Sequence, residues 1–337
     1  MSNDISTEEN QTEIDRRRAR GEFVRGVSGF RHAIGTPEFP AEPGRYHLFV
    51  ALNCPWCHRV TLARSILGLG DSISMDVAFP NRTGDDDPVG PNLWEFTPDR
   101  VASLTGAPLP ECTVDTGTGA GLRLAKEIYQ REGSDEQSLP ILYDKITGRI
   151  VNNESAEIVR QLDAHAGTLG GSDDRPTIFP KNQKVQEVIA ALNERIFVTI
   201  NNGAYKAGFS SDQAIYEQAF TAYFETLTYL DDLLSDGRSF LTGDTFTEAD
   251  LRLFPTLFRH DPVYYLRMKL NGARILDYVY LWRWLCRVYA FNSVASAGSM
   301  THCRQGYFGR SWNGVVPLGP NFPMRYPDAY QHPELAV

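Results

Sequence analysis

The ten residues Ala51-Leu-Asn-Cys54-Pro-Trp-Cys57-His-Arg-Val60 constrain this chain more than any others. They follow Tyr46-His-Leu-Phe-Val50, which reads as a buried strand. They lead into Arg59–Leu67, where Val60, Leu62, Ala63, Ile66 and Leu67 recur at helical spacing. A Cys-Pro-Trp-Cys turn therefore stands where a strand ends and a helix begins. The first N–H groups of a helix lack partners within it, and together with the helix dipole they favour a thiolate over a thiol. Cys54 is expected to ionise below the free-cysteine value of about 8.5. Pro55 suits the first turn, where no N–H is needed.

A bare C-x-x-C has two competing readings, half of a zinc site or a buried pair of small apolar residues. Cys112, Cys286 and Cys303 are single and supply no second C-x-x-C, so no metal is expected. The order strand, turn, helix favours redox chemistry. Cys57, three residues on, is a candidate resolving thiol, able to attack a mixed disulfide at Cys54 and expel the first thiol. His58 is a weaker candidate base, because a thiolate at a helix start needs none.

At 337 residues the chain is long enough for two domains. A net charge of −9 implies no general affinity for nucleic acid or an anionic membrane. Five cysteines without a regular framework suit a reducing compartment. The polar, acidic start lacks the apolar core of a signal peptide, and no run approaches the roughly 20 apolar residues of a membrane span. A soluble cytoplasmic protein is expected.

Five segments follow from the pattern. Residues 1–44 form an N-terminal arm, polar and mobile to about residue 20. Residues 45–165 read β-α-β-α-β-β-α: strands at 46–50, 72–79, 138–144 and 148–153, and helices from 59, at 121–131 and from 154. The Gly-, Pro- and Asp-rich stretch 81–118 is long for a loop and expected to be functional or partly mobile. Residues 166–180 are a linker. Residues 181–310 are all-helical, with helices at 182–201, 211–234, 251–259 and 276–289, and Thr247-Glu-Ala-Asp250 reads as a capping box. Gly203 and Lys206-Ala-Gly are expected to leave Tyr205 in a non-helical break. Residues 311–337, rich in proline, form an extended tail.

An α/β thioredoxin-like N-terminal domain, a linker and an all-α C-terminal domain resemble the glutathione transferase architecture. Phe39-Pro-Ala-Glu-Pro-Gly-Arg-Tyr-His-Leu48, Cys54-Pro-Trp, Asn152-Asn-Glu-Ser-Ala-Glu-Ile158, Asn202-Gly-Ala-Tyr-Lys-Ala-Gly-Phe209, Asp261-Pro-Val-Tyr264 and Val315-Val-Pro-Leu-Gly-Pro320 narrow it further. Together they resemble the glutathionyl-hydroquinone reductases, the xi-class, omega-like transferases. The resemblance implies a thiol-dependent reductase that takes glutathione off glutathionyl-hydroquinones through a mixed disulfide at Cys54. A second glutathione, the cosubstrate, would then free the enzyme. It further implies a homodimer.

By the same resemblance Trp94 packs on glutathione, and Leu139, before a cis Pro140, offers its backbone. Glu154 and Ser155 hold the γ-glutamyl end, while Tyr205, Tyr264 and Tyr307 face the aromatic hydroquinone. The residue types fit. A carboxylate pairs the ammonium of glutathione, a helix start binds its carboxylate, and tyrosine offers a ring face and a hydroxyl to a quinol. The chain departs from the family pattern at Cys57, where alanine is usual, and at Lys126, where an arginine fork becomes a point charge. Gly306–Trp312 is shorter and less polar. These departures admit another small thiol, mycothiol or γ-glutamylcysteine. Two alternatives stay open: a glutaredoxin-like dithiol disulfide reductase using Cys54 and Cys57, and a non-catalytic ligand-binding protein on a transferase scaffold.

Overall fold

The computed structural model describes residues 7–24, 26–98, 109, 111–291, 293–311 and 313–319. Strand β1 (Tyr46–Val50) is buried at all five positions, as befits a central strand covered on both faces. It runs parallel to β2 (Ser74–Val77) and antiparallel to β3 (Ile141–Asp144), which pairs antiparallel with β4 (Arg149–Asn152). The sheet order is β2-β1-β3-β4, a mixed sheet. Leu48 sits opposite Leu142, and Val50 is in register with Val77. Arg45 forks onto Asp144 with bonds of 2.9 and 2.6 Å, pinning the start of β1 to the end of β3.

Helix α2 (Pro55–Ile66) starts at Cys54, earlier than its apolar repeat suggests, and α3 (Ala125–Gln130) is shorter than its pattern. Helix α4 (Ser155–His165) packs on α2. Beyond it come α5 (Gln183–Arg195), α6 (Asn202–Phe209), α7 (Gln213–Leu234), α8 (Glu248–Arg259), α9 (Val279–Tyr289) and α10 (Met300–Phe308). Helix α8 also packs on α2, so the two halves share a buried face. The capping box at Thr247 is present, and Asp250 does more than cap. Its carboxylate accepts from the Thr247 and Leu241 amides at 2.9 Å and from Trp284 Nε1 at 2.8 Å. It thereby joins α8, its preceding loop and α9.

Four expectations change. Residues 7–19, for which no regular structure is expected, form a helix, α1 (Thr7–Ala19), with Glu13 and Asp15 paired to Arg16, Arg18 and Arg20 one turn or two away. The helix expected at 182–201 ends at Arg195 and continues as a wider π-turn, Ile196–Asn201. Tyr205 lies inside α6, not in a break. Gly208 is there because the chain approaches closely: a Cβ would stand 2.1 Å from Met268 Sδ. Helix α10, which carries Tyr307, has no counterpart in the sequence reading. Of the expected tail, residues 311 and 313–319 show no regular structure, and 312 and 320–337 lie outside the described residues, as do 99–108 and 110 of the long loop.

Asp250→Ala leaves three buried donors without a partner. The expected loss is about 2–4 kcal/mol of unfolding free energy in a urea titration. A loss below about 0.5 kcal/mol would show that those donors find other partners.

Candidate active site

The loop between β1 and α2 delivers Cys54 to the N-terminus of α2, where it is the N-cap with extended backbone (φ −80°, ψ 124°). Its sulfur is half-buried and stands 3.9 Å from the Leu139 carbonyl oxygen, just before the cis peptide to Pro140. Cys57, one turn along, is fully buried. Burial holds its thiol well above the ordinary range, and a hydrogen bond to the Cys54 sulfur adds to this. All five cysteines are free thiols.

A buried cation supports this turn from the helical half. Arg259, at the end of α8, donates from Nη2 to the Leu52 carbonyl at 2.9 Å and from Nε to the Asn53 carbonyl at 3.2 Å. Its Nη1 reaches the Pro255 carbonyl at 2.7 Å and His58 Nδ1 at 2.9 Å. A guanidinium has only donors, so His58 Nδ1 is the acceptor and the ring is neutral. Burial, then the Arg259 charge, hold His58 well below its ordinary pKa. Its ring faces Arg259, Phe254 and Phe258, which removes it as a base for Cys54.

Cys54 opens onto a cavity of about 890 Å³, within the ~300–1,000 Å³ of small-molecule sites. Three walls make it. On the sheet side are Trp94, Ser138, Leu139 and Asn153. Trp94 is buried, with the Arg82 guanidinium 3.8 Å from its ring. On the helical side are Tyr205, Phe209, Arg267, Tyr307 and Arg310. The third wall is the N-terminal arm, through Phe23, Val24, Gly26, Val27 and Ser28. The arm is clipped at both ends. Glu22 pairs with Lys206 at 2.7 Å and Phe23 packs 5.7 Å from the Tyr205 ring, while the Asn153 amide donates to the Phe30 carbonyl.

The three candidate tyrosines meet at their hydroxyls. Tyr205 and Tyr307 are 2.5 Å apart, Tyr264 and Tyr307 3.2 Å, and Tyr205 and Tyr264 3.5 Å. Tyr205 and Tyr307 line the cavity; Tyr264 is fully buried behind them. Burial pushes all three above the ordinary phenol range, Tyr264 and Tyr307 well above it, so they are hydroxyl donors at neutral pH. Tyr307 comes close because Gly306 has no side chain: a Cβ there would meet Asn53 Nδ2 at 2.2 Å.

Glu154 and Ser155 open α4 directly after Asn153 of the cavity wall, and neither of them lines the cavity itself. Glu154 caps the helix, accepting from the Ala156 amide at 3.1 Å, and Ser28 Oγ of the arm donates to it at 3.3 Å. Ser155 is buried and 3.4 Å from Glu154 Oε1. Lys126 is half-buried on α3 and does not line the cavity. The cations that do are Arg82, Arg267 and Arg310, and the sequence reading named none of them. Arg82 has one local signal, its place in the Pro80-Asn-Arg-Thr-Gly84 turn. Among the described residues no cluster of His, Cys, Asp and Glu has metal-site geometry, and no helix is long and apolar enough to cross a membrane.

Comparison with known proteins agrees with this architecture. Residues 53–165 match the glutathione S-transferase N-terminal domain and residues 213–287 the glutathione S-transferase C-terminal domain. The chain is 36% identical to the glutathionyl-hydroquinone reductase PcpF of Sphingobium chlorophenolicum, over 92% of this chain and 93% of that protein. It is also 36% identical to the glutathionyl-hydroquinone reductase YqjG of Escherichia coli, over 91% and 90%. The glutathione-bound structure of YqjG superimposes with a TM-score of 0.76 at 34% identity, covering 89% of this chain and 96% of that one. The xi transferase of Phanerochaete chrysosporium gives 0.77 at 33% identity, covering 90% and 95%.

Among the thiols, iodoacetamide on the folded protein is expected to label Cys54 at least about tenfold faster than Cys57, Cys112 or Cys303, because only Cys54 reaches the cavity. Peptide mass spectrometry measures this, and equal labelling of Cys57 would contradict the geometry.

Proposed function

This chain belongs to the glutathione S-transferase family, in the xi class with the glutathionyl-hydroquinone reductases, and from that premise we propose that it removes glutathione from glutathionyl-hydroquinones. The observation that carries this reading is one cavity lined by both a thiol at the N-cap position of α2 and a pair of neutral tyrosine hydroxyls.

The chemistry follows from those groups. The Cys54 thiolate attacks the sulfur of the bound conjugate. The Cys54–glutathione disulfide forms as the aryl carbon–sulfur bond breaks, and the electron pair stays with the ring carbon, which takes up a proton. Hydroquinone leaves. The thiolate of a second glutathione then attacks the mixed disulfide, forming glutathione disulfide and restoring the Cys54 thiolate. One conjugate and one glutathione thus give one hydroquinone and one disulfide, and no other reductant is consumed. Tyr205 and Tyr307 donate to the ring oxygens as charge develops there, and Tyr264 holds them in place.

In this reading Trp94 gives glutathione a flat apolar face and the Leu139 backbone, ahead of Pro140, pairs with its peptide. Glu154 and Ser155 hold its γ-glutamyl end. Lys126 contributes charge from α3 and not a direct contact. Residues 45–165 bind the thiol, residues 181–310 bind the aromatic ring, and 166–180 link them. The arm closes the site through Phe23, Val24, Gly26, Val27 and Ser28. The family resemblance supports a homodimer, and five free thiols support a reducing, cytoplasmic setting for deglutathionylation.

The test is turnover of glutathionyl-hydroquinone with excess glutathione. Cys54→Ala is expected to lose more than about a thousandfold in kcat, and Tyr205→Phe about 10- to 100-fold. Equal rates for wild type and Cys54→Ala would defeat the proposal. A second reading, dithiol disulfide reduction, is favoured by the Cys57 thiol hydrogen-bonded to the Cys54 sulfur. It expects Cys57→Ser to slow reduction of a glutathione mixed disulfide by about tenfold or more, and an unchanged rate would rule Cys57 out.

A further inference from the structure

Three guanidiniums remain unused by that reaction. Arg82, Arg267 and Arg310 all line the cavity, in a chain whose net charge is −9. None of them has a carboxylate within ion-pair distance among the described residues. Arg82 lies over Trp94 and donates to Asn92 Oδ1 at 3.4 Å. Arg267 donates from Nε to the Tyr307 carbonyl at 3.1 Å and stands 5.7 Å from the Phe209 ring, and its outer nitrogens make no hydrogen bond among the described residues. Arg310 follows Tyr307 by three residues and makes no hydrogen bond among the described residues. Partial burial, then the Arg82 charge, push the Arg310 guanidinium below its ordinary range; the Asp85 carboxylate opposes them, and the Arg267 charge adds a smaller push down. Like charges held together around a partly desolvated cavity are costly without a counter-charge.

The cavity supplies none. Glu136 is the only acid among its described lining residues, and it is already engaged by the Gly29 amide at 3.1 Å and Asn153 Nδ2 at 2.6 Å. A ligand must therefore bring the negative charge. The three cations divide by position. Arg82 stands over Trp94, on the side of the thiol. Arg267 and Arg310 flank Tyr307, on the side assigned to the ring.

We propose that Arg267 and Arg310 form an anion-binding corner that selects conjugates whose hydroquinone ring carries an acidic substituent, a carboxylate above all. The inference rests on the proposed reaction and narrows its substrate class. A guanidinium fork matches a carboxylate with two parallel hydrogen bonds, and Arg267 is already oriented by the Tyr307 carbonyl and the Phe209 ring. Glutathione carries its own glycyl carboxylate, the other source of the same chemistry, which the division above assigns to Arg82.

The experiment compares kcat/KM for the glutathionyl conjugates of hydroquinone and of 2,5-dihydroxybenzoate. Wild type is expected to favour the carboxylated conjugate by about tenfold or more, and the ratio is expected to collapse toward one in Arg310→Gln and in Arg267→Gln. Among the described residues Arg310 makes no hydrogen bond or ion pair, so its variant keeps the test valid if Arg267→Gln fails to fold. The preference should persist when both conjugates carry an ethyl ester on the glycyl carboxylate. A ratio near one in an active wild type overturns the inference and leaves the reaction standing. A ratio unchanged in both variants, or lost on esterification, also overturns it, the latter identifying the thiol's own carboxylate as the bound anion. No turnover of either conjugate by wild type would remove the reaction, and the inference with it.

Discussion

Everything at the site depends on a cation sealed inside the protein. Arg259 projects from the end of α8 across the boundary between the two halves and binds the carbonyls of Leu52 and Asn53, the two residues before Cys54. Burying a charge costs several kcal/mol unless strong partners replace water. Here three carbonyls and a neutral imidazole do so. The bonds are directional, so they fix the turn as well as hold it. A helical domain that drifted would strand both the guanidinium and the carbonyls. The thiol and the tyrosines are thereby locked to one frame.

The same cation sets the electrostatics around it. After burial, it is the second cause that keeps His58 neutral, and it faces Cys303 and the three phenols. Burial pulls the Arg259 pKa down, yet its net direction is up, and a guanidinium stays charged at neutral pH. Further ties run in parallel. Arg59 of α2 donates to Asn201 Oδ1 at 2.5 Å and lies 4.4 Å from the Trp56 ring, while Asn201 in turn donates to Thr256 Oγ1 of α8 at 2.9 Å. Thr61 donates to the Ala297 carbonyl at 2.6 Å. Helix α2 is thus held on several sides, and the sulfur at its start has little freedom to move.

The remaining wall is lighter. The arm reaches the cavity with small and apolar residues, Val24, Gly26 and Val27, anchored by the Glu22–Lys206 pair, the Phe23 ring and the backbone bonds near Phe30. A rigid floor with a thin, separately anchored cover suits a site that must admit a bulky conjugate and release two products.

Local pattern alone was enough to read several features of this protein. The apolar run of Tyr46–Val50, the Cys-Pro-Trp-Cys turn and the Thr247/Asp250 box each signal through neighbours in the chain, and all appear where the pattern put them. Resemblance added the tyrosines, whose hydroxyls do converge. The helix around Tyr205 was misread because glycine marks a break and a close approach with the same letter, and only the position of Met268 separates the two. Arg82, Arg259, Arg267 and Arg310 were invisible for a related reason. An arginine is ordinarily a surface residue, and nothing in its neighbours says that it faces a cavity or crosses a domain boundary. What a residue does within one turn of chain is written in the sequence. What a charge does depends on the groups that replace its water, and those come from distant segments that only folding brings together.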